Sequence, residues 1–544
     1  MTLAMLIFAA LTEGIRAVQR SGREGFAFGH GRRPLLQPQH RGGRGGGPRV
    51  VRSAAADGQA VAVGPVQTTE AEVKTPAAAG RRSAAVVQTA GGTKESGVKE
   101  APLDLNPPRG TRDFFPDDMR LRNWLFDKWR RASELYGFEE FDAPVLESED
   151  LYIRKAGEEV VGQLYCFADK GGRRVALRPE LTPSLARMVL AKRGQLNMPI
   201  KWFAIPQCWR YERMTRGRRR EHYQWNCDIW GVGEVTAEME LLSCIVRFFE
   251  SVGIGSDDVG IKVNNRELLR EVLHKNGVPD DRFAAVCVLI DKLEKVPLDH
   301  LRDDFRALGV EGSQLDSIAA SVRADQTVDD VAQLVGEDSQ AVKHLRDVFD
   351  MADAYGIADW LVFDPSVVRG LAYYTGVVFE GFDRAGELRA ICGGGRYDTL
   401  LEMFGGEPIP AVGFGFGDAV VVELLKTKGL LPDFADTSVA DAVVWPLAGG
   451  DETSTVQQAA GRVATRLRQS GLKTDVILEN KKSKWVFKHA ARVNAGVLVV
   501  IGADEVAGNE VTAKRLCDKE QQRVTLDGTH LEDLAAEWAM GEGG

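Results

Sequence analysis

The sequence predicts an α/β protein of several domains, and three observations carry that reading. Its 544 residues exceed one ordinary domain and fit two to four. Strand-like segments at about 160–235 and 365–417 flank an almost wholly helical, charged stretch, which reads as an insertion into a mixed sheet. The last hundred residues alternate apolar strands with helices, the pattern of a small α/β domain with a parallel sheet.

Composition narrows the class. An apolar fraction of 44% is ample for packed cores, and no run of apolar residues is long enough to suggest a membrane span. The seven cysteines are scattered without a CxxC pair, which argues against a disulfide framework and against a zinc site, and no metal-binding residues are assigned. The first hundred residues differ from the rest. Nine arginines against the single acid Glu24 between Gly14 and Ser53, with a glycine-rich run, match an organelle transit peptide. The apolar start MTLAMLIFAALT lacks the charged n-region and the small-residue cleavage site of a secretory signal. Residues 1–100 carry 14 basic and 7 acidic side chains, so the rest of the chain stands at -16 against a total of -9. A body that acidic meets nucleic acid only through local basic patches.

Taken in order, an ordered region is expected from NPPRGTRDFFPDDM onward. From Asp118 an amphipathic helix presents Leu121, Trp124, Leu125, Trp129, Ala132 and Leu135 at helical spacing, and Gly137 stops it. EEFDAPVLE is extended and broken at Pro144. A helix is expected around Pro183 to Arg193, and another over 236–252 with Met239, Leu242, Ile245, Val246 and Phe249 on one face. Arg178-Pro-Glu180-Leu-Thr182, if extended, puts a carboxylate and a hydroxyl on one face, a pair able to hold an ammonium group. After ADTS come three buried-type strands in VADAVVWPL, KTDVILE and AGVLVVIGADE, with helices beginning near Thr455 and Ser483.

The most informative stretch is WRYERMTRGRRREHYQWNCDIWG, residues 209–231, with six arginines. It reads as a hairpin. On the outgoing half Arg210 and Glu212 share a face. On the return half Tyr223, Trp225, Cys227 and Ile229 form an apolar face, opposite a polar row of Gln224, Asn226 and Asp228. Arg210 suits an oxyanion because a guanidinium donates in a fixed fork and stays charged. The tip arginines suit a nucleotide tail or a nucleic-acid backbone. VRGLAYYTGVVFEGF places Arg369, Tyr373 and Tyr374 at the head of a strand, and ICGGGRYD reads as a glycine turn, with a tight hairpin as its simpler explanation. GFGFGD at 413–418 is not a dinucleotide fingerprint.

Together these segments resemble a class II aminoacyl-tRNA synthetase, specifically the histidyl-tRNA synthetase family, from about Pro107 to Trp538. The 209–231 hairpin is similar to motif 2, the amphipathic helix with APVLE to the dimer-forming motif 1, and RGLAYYTG with GGGRYD to the two histidine-specific motifs. The resemblance implies an antiparallel catalytic sheet with helices and a helical insertion, followed by an anticodon-binding α/β domain. It implies ATP, bound with Mg²⁺, L-histidine and tRNA(His) as reactants, a homodimer, no membrane, and work in chloroplast, mitochondrion or both, with a cytosolic form left open. The divisions it implies are a presequence at 1–100, catalytic core at 101–265 and 359–434, insertion at 266–358, and anticodon-binding domain at 435–544.

Position by position, the resemblance gives Arg210 and Arg369 to the ATP α-phosphate, as the catalytic pair. It gives Glu212 to the adenine amino group and Arg218 to the outer phosphates. Glu180, Thr182 and Gln224 hold the ammonium group, and Asp228 and Tyr374 bracket the imidazole, with Tyr373, Arg396 and Tyr397 lining the pocket. Arg216, Arg219, Arg220, Lys481, Lys482 and Lys484 are candidate tRNA contacts, whereas Trp485 and Phe487 read as helix packing. Motif 3 departs from the family: Val420 stands where relatives carry an arginine for the γ-phosphate, which leaves Arg216 or Arg218 to cover the charge. Ala372 likewise replaces an aspartate. Two other readings stay open, a histidine-sensing regulatory subunit of histidine biosynthesis and an RNA-binding protein without catalysis.

Overall fold

The computed structural model describes residues 103–153, 162–293, 296–368, 373–434, 437–447, 449, 453–526 and 529–540. The expected presequence, its cleavage site, Arg369 and Ala372 lie outside them.

Helix Pro116–Leu135 begins where Pro116 presets the backbone and Asp118 accepts the Phe115 N–H at 3.1 Å. It ends before Gly137, whose φ of +72° only glycine adopts without strain. Its Leu125, Trp129 and Ala132 are buried at helical spacing, and Trp129 stacks on Trp225 of the sheet below, centroids 6.0 Å apart. After it come β1 (Glu139–Glu140) and β2 (Leu146–Ser148), then the hairpin β3 (Tyr165–Ala168) and β4 (Arg174–Leu177). β2, β4 and β3 make a small antiparallel sheet.

The main sheet has nine strands. Its remaining members are β5 (Ile200–Ala204), β6 (Gln207–Trp209), β7 (Glu221–Trp230), β8 (Val259–Asn265), β9 (Leu361–Phe363), β10 (Val377–Asp383), β11 (Cys392–Arg396) and β12 (Ala411–Gly417). The order is β1-β5-β7-β12-β11-β10-β8-β9, with β6 added to β7. Among the described strands only the outer pairs β1–β5 and β8–β9 are parallel. One face carries Trp225, Cys227, Phe379, Phe414 and Phe416, packed under helices Pro116–Leu135 and Thr236–Ser251. The expected helical face of the latter, Met239, Leu242, Ile245, Val246 and Phe249, is buried there. The other face carries the polar row of β7 beside an apolar cluster that includes Leu185, Val189, Ile200, Trp230, Val378 and Ala411, and it holds the candidate site.

Two local expectations are corrected. ICGGGRYD is neither a turn nor a hairpin; its glycines form the fully buried central strand β11. Thr182 is not in an extended segment but opens helix Thr182–Lys192.

Six helices lie between β8 and β9 among the described residues. Arg266–Lys275, Asp280–Leu293, Leu298–Ala307 and Ser313–Ser321 enclose their own core around Phe283, Ile290, Phe305 and Ile318. Val328–Val335 and Gln340–Ala352 instead add Val331, Val342, Leu345 and Val348 to the core of the main sheet.

The C-terminal sheet comprises β13 (Ala442–Pro446), β14 (Thr474–Val476), β15 (Val497–Ile501), β16 (Glu510–Arg515) and β17 (Gln521–Thr525), in the order β14-β13-β15-β16-β17. The three expected strands are parallel, while β16 and β17 add an antiparallel edge that the alternation did not reveal. β14 is a half-buried edge strand rather than a buried one. Helices Thr453–Gln469 and His530–Met540 pack on one face, and Ser483–Arg492 packs on the other. Among the described residues no helix is long and apolar enough to cross a membrane.

Candidate active site

The floor of the site is the polar face of β7, where His222, Gln224, Asn226 and Asp228 point the same way, as strand alternation requires. They have room because β12 opposes them with glycines in register, Gly413 to Asp228 and Gly415 to Asn226. A Cβ at Gly413 would run into the Asp228 carboxylate, and one at Gly415 into the Gln224 amide. Among the described residues the buried Oε1 of Gln224 and Oδ1 of Asn226 have no hydrogen-bond partner. Buried acceptors left open are costly unless a donor arrives, so this floor suits a ligand bearing N–H groups.

Around the floor stands a ring of buried hydroxyls and carboxylates. Tyr373 Oη donates to Glu180 Oε2 at 3.1 Å, and Tyr397 Oη donates to Asp228 Oδ1. The Tyr373 and Tyr374 rings lie 4.9 Å apart by centroid, and Tyr373 meets Tyr397 edge-on at 5.8 Å. Burial, then the neighbouring carboxylates, push the Tyr373 and Tyr397 phenols well above their ordinary range. Both therefore remain donors at neutral pH. Thr182 is buried at the start of its helix, two residues beyond Glu180. The structure thus brings Glu180, Gln224, Asp228, Tyr373, Tyr374 and Tyr397 to one pocket.

Arg396 does not line that pocket. Its guanidinium donates to both oxygens of Glu238, at 2.7 and 2.6 Å, and to the carbonyls of Val232 and Glu234. Glu238 is fully buried on helix Thr236–Ser251, so Arg396 ties that helix to β11.

Beside the pocket lies the arginine-rich loop. Arg210 and Glu212 lie beyond the end of β6 in the loop rather than on a strand face, and Arg210 Nε donates to the Pro179 carbonyl at 2.9 Å. Glu212 and Arg218 pair with one another. A tight turn closed between Thr215 and Arg218 places Gly217 at φ +72°. Arg216 is held by Glu423, at 3.1 Å, and by Thr427. Arg220 lies 3.9 Å over the Tyr211 ring and donates to the Glu212 carbonyl. Of the three tip arginines read as tRNA contacts, Arg216 and Arg220 therefore already have protein partners. The third, Arg219, is exposed beside a separate hollow shared with Arg112, Arg122 and Asp418.

Two arginines at this site were not singled out from the sequence. Arg112 bridges Glu221 and Asp418, 2.9 Å from each. Arg389 stands just before β11 and near the loop, two residues upstream of the ICGGGRYD stretch that attracted notice. His222 registers the combined field: burial first, then Arg210, Arg112 and Arg389, pull its imidazole down to about 3, so it is neutral at physiological pH.

In the C-terminal domain, Lys482 and Lys484 are exposed at the start of helix Ser483–Arg492. Lys481 pairs with Glu479 at 2.5 Å and lies 5.4 Å over the Trp485 ring. Trp485 and Phe487 do not serve as core packing, being 44% and 42% exposed. Trp485 stacks parallel on His489, centroids 5.0 Å apart.

The histidyl-tRNA synthetase family model matches residues 110–418, and the anticodon binding domain model matches 441–530. The chain is 55% identical over 424 residues, 78% of its length and 86% of the relative's, to the chloroplastic/mitochondrial histidine–tRNA ligase of Arabidopsis thaliana. It is 38% identical to the histidine–tRNA ligase of Haloarcula marismortui, covering 77% of this chain and 95% of that one. The crystal structure of histidyl-tRNA synthetase from Nostoc sp. PCC 7120 superposes with a TM-score of 0.63 at 26% identity, over 81% of this chain and all of that one. Floor, tyrosine ring and arginine loop lie within the matched span, and the chain belongs to the histidyl-tRNA synthetase family.

Proposed function

We propose that the chain activates L-histidine with ATP and transfers it to tRNA(His), as a histidine–tRNA ligase. The observation that carries this is the placement of a polar pocket with unpaired buried acceptors directly beside the arginine loop. In this reading Glu180, Thr182 and Gln224 receive the ammonium group, and Asp228 with its tyrosine neighbours receives the imidazole. Both ring nitrogens then find partners. A site built to hydrogen-bond them rejects side chains that lack them by about 10⁴-fold or more.

ATP enters as its magnesium complex, with Arg210 at the α-phosphate. The Glu212–Arg218 pair separates on binding, freeing the carboxylate for the adenine amino group and the guanidinium for outer phosphates. Arg369 is assigned to the α-phosphate by resemblance alone. The histidine carboxylate attacks the α-phosphorus, the bond to the leaving pyrophosphate breaks, and the charge developing on phosphate oxygens is met by Arg210 and, once released from Glu212, by Arg218. The terminal ribose hydroxyl of the tRNA then attacks the adenylate carbonyl and displaces AMP. A regulatory subunit would have no use for the nucleotide-facing half of this arrangement.

The Ser483–Arg492 helix, with Lys481, Lys482 and Lys484, is proposed to meet the tRNA. Helix Pro116–Leu135 is proposed as part of a homodimer interface. Residues 1–100 are proposed to direct import to chloroplast, mitochondrion or both, in keeping with their arginine-rich, acid-poor composition.

The test is ATP–pyrophosphate exchange by the full chain with each of the twenty amino acids. Exchange with histidine alone is expected; none with histidine would overturn the assignment.

A further inference from the structure

The motif 3 position leaves the nucleotide site one cation short. Val420, in the first turn of helix Asp418–Lys428, is buried in the apolar core of the main sheet. Of the arginines expected to compensate, Arg216 is held by Glu423 and Thr427, and Arg218, once released from Glu212, already has its own place at the outer phosphates in the reading above. A third guanidinium is close by. A Cβ at Gly217 would stand 3.2 Å from Val420 Cγ2 and 3.9 Å from Arg389 Cδ, so the Arg389 stem runs past the loop turn and alongside Val420. Arg389 is contributed by the connection between β10 and β11, from a part of the sequence unrelated to motif 2 or motif 3.

Its surroundings are those of a group awaiting an anion. Among the described residues Arg389 makes neither a salt bridge nor a hydrogen bond, in contrast to Arg112, Arg210, Arg216, Arg218 and Arg220. The charges that act on it are Arg218 and Arg210, which oppose its own charge, and Glu212 and Glu380, which favour it. Exposed at the surface yet hemmed in by the loop, its guanidinium is drawn below its ordinary value, by burial first and then by Arg218. Arginines close enough to oppose one another's charge repel until a polyanion arrives, and a fork donor with no protein partner among the described residues loses nothing in turning to it.

We propose that Arg389 binds the outer phosphates of ATP, and pyrophosphate in the reverse direction, on the side of the site that Val420 leaves without a cation. The inference rests on the histidine-activating reading above and adds a substrate-binding residue to it. Gly217 is part of the arrangement: a side chain there would press on Val420 and stand against the Arg389 stem.

The test separates the half-reactions on the full chain. In Arg389→Ala, kcat/KM for ATP in histidine-dependent exchange should fall about 10²-fold, the size typical of losing one fixed donor to developing charge. The histidine KM should stay within roughly twofold, because uniform binding of the amino acid is untouched. Transfer from preformed histidyl-adenylate to tRNA should be unaffected, since the adenylate has no outer phosphates. Arg389→Lys should recover part of the loss through charge without the fork. An unchanged kcat/KM for ATP, or an equal loss in the transfer step, would overturn the proposal. Absence of exchange in the unaltered chain would sink the parent reading instead, and the inference with it.

Discussion

Glycine at position 415 does for the proposed amino-acid pocket what no side chain could. In β12 it pairs with Asn226, and the volume its missing Cβ would fill is taken by the Gln224 amide. Gly415→Ala therefore has a specific expected consequence. The far end of Gln224 swings aside at little cost to folding, and the acceptor meant for the ammonium group leaves its place. Histidine KM should rise about 10²-fold, the scale at which an ångström of misplacement is felt. The ATP KM should hardly change, because the arginine loop is fixed elsewhere. Steady-state exchange kinetics at varied histidine and ATP decide it, and an unchanged histidine KM would remove Gln224 from the pocket. The same logic covers Gly413, whose missing Cβ leaves room for the Asp228 carboxylate, whereas Gly394 of β11 lies among the phenylalanines of the opposite face, where a Cβ would strike the Phe379 ring.

At the scale of elements, Arg112 is the joint between three parts of the chain. It comes from the segment before helix Pro116–Leu135 and reaches Glu221 at the head of β7 and Asp418 at the head of helix Asp418–Lys428. Both carboxylates are almost wholly buried, and burial pushes the Asp418 carboxyl up even with Arg112 beside it. Removing the cation from such a group leaves uncompensated buried charge, at a cost of about 3–5 kcal/mol. Arg112→Ala should lose stability on that scale in urea unfolding at neutral pH. The deficit should shrink in acid, as the Asp418 carboxyl, already held above its ordinary range, takes up its proton. A loss below about 1 kcal/mol would mean that the joint behaves like an exposed pair.

This joint also shows what the sequence could and could not convey. Helices Pro116–Leu135 and Thr236–Ser251, and the alternation of β7, were legible because burial on one face writes a period into the residues. β11 was not legible, because CGGG has no side chains to alternate and its burial is imposed by β10 and β12. β16 and β17 escaped because an edge of mixed polar residues, EVTAKR and QQRVT, carries little apolar signal. Arg396 looked like a pocket residue by position in its motif and proved to be the partner of Glu238. Arg112 acts through neighbours distant in sequence, and Arg389 lies beside a loop distant in sequence, which no local pattern encodes.

At the scale of the whole molecule, the proposed adenylation site and the proposed RNA contact fall on separate cores. The main sheet holds the pocket and loop, and the C-terminal sheet has its own two apolar layers. Lys481, Lys482 and Lys484 stand at the start of a helix on that second sheet, beside exposed Trp485 and Phe487, in a protein whose net charge is -9. A local basic and aromatic patch is then the means by which an acidic body gains a foothold on a polyanion, lysines meeting phosphates and aromatics meeting unstacked bases. Replacing the three lysines with alanine should weaken tRNA binding and reduce the slope of log affinity against log salt by about 2, since each phosphate contact contributes about 0.7–0.9. Histidine-dependent exchange should be unchanged, because none of these side chains belongs to the main sheet. Filter binding over a salt series, run beside exchange on the same preparation, separates the outcomes. Equal affinity and slope would show that the tRNA approaches by another face. A parallel fall in exchange would show instead that the two units share stability, contrary to their separate cores.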